Sequence, residues 1–146
     1  MKFTLIVDET REEEVQMFVH RESPLSSAVE SLVTGKTPAD KLVAVGEDGE
    51  LLLLPFDEVE CIFVLDTKTF AHTTEGKRFR LKSRLYEIEA KLPPYFLRIN
   101  KSCIANEHHL RAFHPTFSGG VDAVFASGFS DYVSRRAFSD IKRRYL

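Results

Sequence analysis

Cysteine and histidine residues in the second half of the chain are the first candidates for chemistry. Cys103, His108, His109 and His114 could offer ligands to a metal ion, and Cys103 with a nearby histidine could act as a nucleophile. However, the cluster has neither two close cysteines nor a matched histidine pair at structural zinc spacing, and no motif positions a base and an oxyanion hole. The sequence therefore predicts no metal, no cofactor, no small-molecule substrate and no catalysis, with Cys61 and Cys103 as reduced, buried thiols.

Charge is distributed unevenly along the 146 residues. Residues 1–60 carry fourteen acidic and five basic side chains, whereas residues 61–146 carry fifteen basic and eight acidic ones, and the formal net charge is only -2. A split of this kind favours a basic surface for a polyanion joined to an acidic segment with another role. Nucleic acid is the first partner to consider.

Length and hydropathy restrict the class of protein. A chain of this size holds one ordinary domain, or one of about 100 residues with a short appendage. No apolar run approaches the roughly 20 residues that span a bilayer, and Met1–Val7 meets acidic residues too early for a secretory signal. We expect a soluble protein of the cytoplasm.

The first 41 residues read as a small mixed segment. Lys2–Val7 and Val15–His20 are rich in β-branched and aromatic residues and flank an acidic turn, which predicts a hairpin. A helix should follow, capped by Ser23 with Pro24 in its first turn and closed by Gly35. Its apolar stripe comprises Leu25, Ala28, Val29, Leu32 and Val33.

From residue 42 onward the pattern changes to short strands separated by turn residues. A helix interrupts them at 83–92 and is stopped by two prolines, and a basic helix capped by Ser134 ends the chain. The predicted strands cover residues 42–45, 51–54, 61–65, 70–74, 78–81, 95–100, 121–126 and 129–133. These elements predict an α+β fold, mainly β, in residues 42–146, preceded by the hairpin and helix of residues 1–41.

Two motifs in this second segment resemble a known family. Phe96–Ser102 with Asn106, followed about thirty residues later by Tyr132–Arg136 and a basic helix, is similar to the LytTR-type DNA-binding domain of bacterial transcription regulators. The resemblance covers about residues 42–146. It implies a mostly β fold that inserts loop side chains into successive major grooves of double-stranded DNA.

The resemblance places the contacts in three loops, which match Thr67–Phe70, Asn100–Ser102 and Ser134–Arg136. It implies base reading by Lys101 and Arg136, whose donors suit guanine, and an adenine contact by Asn100. Where relatives often have histidine, this chain has Phe70 and Asn100, and Phe70 could instead touch a thymine methyl group. The site residues predicted from the resemblance are Lys68, Thr69, Phe70, Arg98, Asn100, Lys101, Ser102, Ser134, Arg135 and Arg136, with Ser102, Ser134 and Arg135 suited to phosphate oxygens.

Several of these residues also have a structural interpretation. Arg98, on an alternating strand, is as well suited to an ion pair as to a phosphate contact. Arg143 and Arg144 could contact DNA or simply form the solvated face of the last helix. Tyr132 fits packing better than contact.

The chain is therefore expected to be a stand-alone transcription regulator, because residues 1–41 are too few for a receiver domain. The predicted N-terminal helix must bury its stripe, either on its own chain or in a homodimer or a regulatory partner protein. A homodimer would place two DNA-binding domains on promoter direct repeats. The alternative is a protein-interaction module or anti-regulator that uses the basic face for a non-DNA partner, and an enzyme is the third hypothesis.

Overall fold

The computed structural model describes residues 2–34 and 40–145. It divides into two compact units, residues 1–38 and 39–146. Each unit is described separately below. The predicted linker at 35–41 and the closing residue Gly35 lie largely outside the described residues.

Helix α1 (Pro24–Thr34) is the regular element among the described residues of the first unit. Ser23 caps it as predicted: its hydroxyl oxygen accepts a hydrogen bond from the Ser26 amide at 3.3 Å, and its carbonyl accepts one from the Ser27 amide at 3.1 Å. The apolar stripe is only partly covered, since Leu32 is 83% exposed and Val33 53% exposed.

The predicted N-terminal hairpin is wrong, because residues 2–23 form no strand in the structure. Asp8 instead closes a local turn by accepting hydrogen bonds from the amide and hydroxyl of Thr10 at 3.0 and 2.6 Å. Val15, Met17 and Val19 alternate as a strand would, but they line a groove with Val29 and other residues of α1. A two-stranded ribbon is marginal on its own, so packing against the helix replaces cross-strand pairing.

Between residues 40 and 145 the second unit contains ten strands, two helices and two short 3₁₀ turns, Phe56–Glu58 and Glu107–His109. The strands form a seven-stranded antiparallel sheet in the order β2-β1-β5-β4-β3-β7-β6 and a three-stranded sheet in the order β10-β9-β8. The elements are β1 (Lys41–Val45), β2 (Leu51–Pro55), β3 (Val59–Leu65), β4 (Lys68–Thr73), β5 (Arg78–Leu81), α2 (Leu85–Glu89), β6 (Phe96–Asn100), β7 (Cys103–Asn106), β8 (Leu110–Pro115), β9 (Val121–Phe125), β10 (Ser130–Val133) and α3 (Arg135–Tyr145).

Strand β3 lies within the large sheet and is buried on both faces. Ile62 belongs to a first core beneath α2, together with Leu85 and Ile88. Cys61 and Phe63 point the other way, into a second core that includes residues of the small sheet and of α3. A strand covered on both sides reads as a continuous apolar run, which is why β3 was recognisable in the sequence.

The predicted α+β fold, mainly β, is confirmed. Strands β7 and β8 were missed in the sequence, because Cys103–Asn106 lacks polar alternation and Leu110–Pro115 has few inward-facing apolar residues. The helix predicted at 83–92 is shorter, since α2 covers only Leu85–Glu89. Among the described residues, no helix has the length and apolar character needed to cross a membrane.

Candidate nucleic-acid interface

The turn between β6 and β7 projects Lys101 from the end of the large sheet. Asn100 is 3% exposed and both ends of its amide are occupied: Oδ1 accepts from the Ser102 amide at 2.7 Å, and Nδ2 donates to the Tyr132 carbonyl at 2.7 Å. Lys101 is exposed and Ser102 is half-buried. Asn100 thus holds the turn, while Lys101 faces the solvent.

The side chain of Arg98 also binds the backbone of this turn. Its Nε donates to the carbonyl of Asn100 at 2.7 Å and its Nη2 donates to the carbonyl of Lys101 at 2.5 Å. Its Nη1 forms an ion pair with Glu89 of α2. Of the two interpretations that the sequence allowed for Arg98, the structure favours the ion pair.

Helix α3 begins beside the same turn. The Ser134 amide donates to the carbonyl of Ile99 at 2.8 Å, and its hydroxyl oxygen accepts from the Ala137 amide at 3.2 Å, which confirms Ser134 as the N-cap. Arg135 and Arg136 form the first turn of α3 and are exposed.

The turn between β3 and β4 lies next to these two. The Val64 amide donates to the carbonyl of Ser102 at 2.9 Å, and Phe63 pairs with Cys103, so β3 ends beside the β6–β7 turn. Asp66 and Thr67 adopt positive φ values of 50° and 67°, which makes the turn tight. Lys68 follows and is exposed.

We call this end of the sheet the basic edge, defined by Lys68, Lys101, Arg135 and Arg136. Among residues 2–34 and 40–145, these four side chains form no ion pair. Exposed cations without a direct ion-pair partner remain free to attract a polyanion.

The two cations on α3 occupy the unfavourable end of that helix. A helix N-terminus has partial positive charge, so cations there cost about 0.3–1 kcal/mol each. The other cations of α3, Lys142, Arg143 and Arg144, lie in its last turn, where the same dipole favours them. Arg135 and Arg136 add their positive charge to that of the helix N-terminus, and together these charges favour binding of an anion at this position.

The remaining predicted contacts in the first loop are less accessible. Thr69 is 6% exposed. Phe70 is half-buried and packs beside Phe63, with ring centroids 5.8 Å apart. The structure brings Lys68, Lys101, Ser102 and the Ser134–Arg136 segment to one edge, and places Thr69, Phe70, Arg98 and Asn100 beneath it.

The cysteines and histidines form no metal-binding group within the described residues. Cys61 and Cys103 are both free and buried, and the hydrogen bond of the Cys103 thiol to Cys61, together with burial, raises the pKa of the Cys103 thiol. His108 stacks on Tyr95 with centroids 4.2 Å apart, and His109 Nε2 lies 2.5 Å from the carbonyl of Asp57. These residues have structural contacts of their own.

Sequence reasoning missed a fully buried carboxyl group that joins the two sheets. Glu60 on β3 accepts hydrogen bonds from the amide and hydroxyl of Ser127 at 2.8 and 2.6 Å, and lies 3.2 Å from Nδ1 of His72. Ser127 lies in the turn between β9 and β10. Strand β10 then leads to Arg135. A charged residue within the apolar run Val59–Leu65 was the available indication.

The fold and this edge define a β-rich domain that presents cations on adjacent turns, with no helix-turn-helix among the described residues. The sequence profile of the LytTr DNA-binding domain matches residues 49–145. The chain therefore belongs to the LytTR family of DNA-binding domains.

Individual relatives agree with this assignment. Proteins named uncharacterized HTH-type transcriptional regulators, from Staphylococcus aureus strains MSSA476 and MW2, are each 30% identical to the chain over 146 residues, covering 99% of this chain and 97% of theirs. A solved LytTr DNA-binding domain from Bacillus cereus superposes with a TM-score of 0.65 at 25% identity, covering 72% of this chain and 95% of that one. The chain is a DNA-binding transcription regulator in the broad sense.

Proposed function

We propose that the chain binds double-stranded DNA in a sequence-specific way and reads the major groove with side chains of the basic edge. The observation that supports this most directly is the meeting of three turns, distant in sequence, at one edge, with exposed cations that form no ion pair within residues 2–34 and 40–145. Cationic turns on a rigid sheet suit a duplex because phosphate contacts fix the register and a few donors reach the bases.

The predicted site residues fall into an exposed group and a buried group, and we assign a different role to each. Lys101 and Arg136 are exposed and long, and we assign them to base edges, where lysine and arginine donate to guanine. Lys68, Ser102 and Arg135 suit phosphate oxygens.

Asn100 and Arg98 are proposed to position the β6–β7 turn, because their polar groups are already engaged within the protein. Ser134 positions α3 through its cap. Thr69 and Phe70 support the first turn from below. An adenine contact by Asn100 would require this buried amide to become accessible from outside the turn.

The division of the chain follows from this assignment. Residues 42–146 would form the DNA-binding domain, and residues 1–41 a dimerisation or docking element. Leu25, Leu32 and Val33 expose an apolar stripe on α1. A second copy seated on that stripe would give a homodimer able to occupy promoter direct repeats, and a regulatory protein is the other candidate. We propose a cytoplasmic regulator without catalytic activity.

The experiment that tests the function starts from duplexes selected out of a random pool. Fluorescence anisotropy would then be measured at several salt concentrations for wild type, for Lys101→Ala/Arg136→Ala, and for Lys77→Ala/Lys91→Ala as a control with the same change in charge. Lys77 lies in the β4–β5 turn, at the other end of the sheet from Lys68.

Enrichment of a defined site, lost only in the first variant, is the expected result, with specific binding about 10³-fold or more tighter than non-specific binding. Affinity should fall steeply as salt rises. No enriched site and no salt dependence would instead favour the alternative, a protein-interaction module or anti-regulator that uses the basic edge for a non-DNA partner.

A further inference from the structure

Strand β5 presents cations that belong to none of the three loops. It reads Arg78-Phe79-Arg80-Leu81, followed directly by Lys82. Phe79 and Leu81 pack into the first core, Leu81 being 3% exposed. Successive side chains of a strand point to opposite faces, so Arg78 and Arg80 share the other face. We call Arg78, Arg80 and Lys82 the β5 stripe; all three are exposed.

The β5 stripe continues the basic edge. Leu81 pairs with Thr69 in the β4–β5 ladder, so the chain leaves β5 beside Lys68. Neighbouring strands are about 5 Å apart, and β5 follows β4 in the sheet. Lys82 therefore lies roughly one strand spacing beyond the first of the three turns, on the side away from Lys101.

The three cations of the β5 stripe have no direct ion-pair partner among the described residues, although the acidic β1–β2 turn (Glu47, Asp48 and Glu50) follows Val45, the partner of Arg80 on β1. The cross-strand partner of Arg80 is Phe70, and that of Arg78 is His72. Glu60, the acid nearest to His72, is buried and engaged by Ser127.

Arg78 is held in place without loss of its charge. Its guanidinium carbon lies 5.6 Å from the ring centroid of Phe63 and 5.4 Å from that of Phe70. Aromatic faces fix the side chain through cation–π attraction, whereas a carboxyl partner would neutralise it. The guanidinium therefore stays available to an anion.

We propose that the β5 stripe contacts phosphates of the DNA backbone outside the bases read by Lys101 and Arg136. This inference rests on the proposed function and adds a second, sequence-independent contact to it. The stripe lies at one end of the line of turns, so its contacts fall on one flank of the recognised site. A duplex too short on that flank would lose them.

The test uses Arg80→Gln/Lys82→Gln, because neither side chain forms an ion pair in the described part of the chain. Lys91→Gln/Arg111→Gln removes the same charge at exposed positions that belong neither to the β5 stripe nor to the basic edge. Binding to the selected duplex and to a scrambled duplex would be measured across a salt series, with long flanks and with each flank shortened in turn. Thermal unfolding of each variant would verify that the fold is retained.

We expect the β5 variant to lose affinity equally for both duplexes and to reduce the slope of log affinity against log salt by about 0.9 per lost contact. When the flank that the β5 stripe contacts is shortened, wild type and the β5 variant should bind with equal affinity. The base preference of the variant should remain that of wild type. A slope equal to that of the control variant would overturn the proposal while leaving wild-type specificity intact. Failure of the wild-type protein to bind any duplex would instead refute the proposed function.

Discussion

The side-chain amide of Asn100 donates a hydrogen bond to the backbone carbonyl of Tyr132 at 2.7 Å, across 32 positions of sequence. This contact ties the β6–β7 turn to the strand that leads into α3. Lys101 and Arg136 therefore have a fixed relation to each other, although neither touches the other through its own side chain. The relation matters because base contacts need both donors in register with one duplex.

Replacing Asn100 tests whether it positions the turn or reads a base. We expect Asn100→Ala to lower the free energy of unfolding by about 1–3 kcal/mol, since buried polar groups lose their partners. Affinity for every duplex should fall together, with no change in base preference. Urea unfolding and anisotropy on single-substituted duplexes would measure both. A relaxed preference at one A·T position would show that Asn100 contacts adenine.

Lys101→Ala and Arg136→Ala should each act on a single base position. Each change is expected to cost about 1–3 kcal/mol of binding free energy to the selected site and to relax preference at its own position. Arg143→Ala, whose side chain pairs with Asp140, should weaken all sequences alike if it weakens any. Titrations on a panel of single-substituted duplexes would measure this, and equal losses across the panel would contradict base reading.

The first turn of α3 predicts opposite effects on stability and on binding. Arg135→Glu places a negative charge at the positive end of the helix, which should raise the free energy of unfolding by about 0.3–1 kcal/mol at low salt. The same change should greatly weaken DNA binding, because an anion then faces the phosphates. Arg143→Glu, at the other end of α3, should lower stability instead. A variant at Arg135 that is less stable than wild type would argue against this interpretation.

Glu60 is predicted to hold the two sheets in register. In Glu60→Gln an amide nitrogen replaces one acceptor oxygen, so the hydrogen bonds with Ser127 and His72 must be rearranged and the charge-assisted acceptor is lost. The expected loss of stability is about 1–3 kcal/mol. A double-mutant cycle with Ser127→Ala, measured by urea unfolding, should show coupling between the two changes. Strict additivity would mean that the contact contributes little.

The buried Cys103 thiol predicts a loss of stability in alkali. Because its pKa is raised in the folded protein, the unfolded chain releases this proton first. The contribution of this thiol to the free energy of unfolding is fully present below about pH 8.5, the ordinary pKa of cysteine. Above that pH the free energy of unfolding should fall by up to about 1.4 kcal/mol per pH unit. Urea unfolding between pH 7.5 and 9.5 would measure the slope. Cys103→Ala should remove most of it.

Local pattern accounted for much of this fold. Alternation and turn residues predicted eight of the strands in the second unit, and the motifs around Lys101 and Arg136 indicated the family. Ser23 and Ser134 were recognisable as caps because a cap depends on residues within one helical turn. These features are determined by neighbours in sequence, so the sequence by itself determined them.

Pairing between distant segments was decided only by the tertiary structure. Lys2–Val7 and Val15–His20 have strand composition yet form no ladder, because Val15, Met17 and Val19 turn toward α1 instead. Asparagine is a residue type that reads bases, but the side-chain amide of Asn100 binds the carbonyl of Tyr132 inside the protein. Burial and hydrogen-bond partners depend on which segments meet, and that information lies in contacts between residues far apart in the chain.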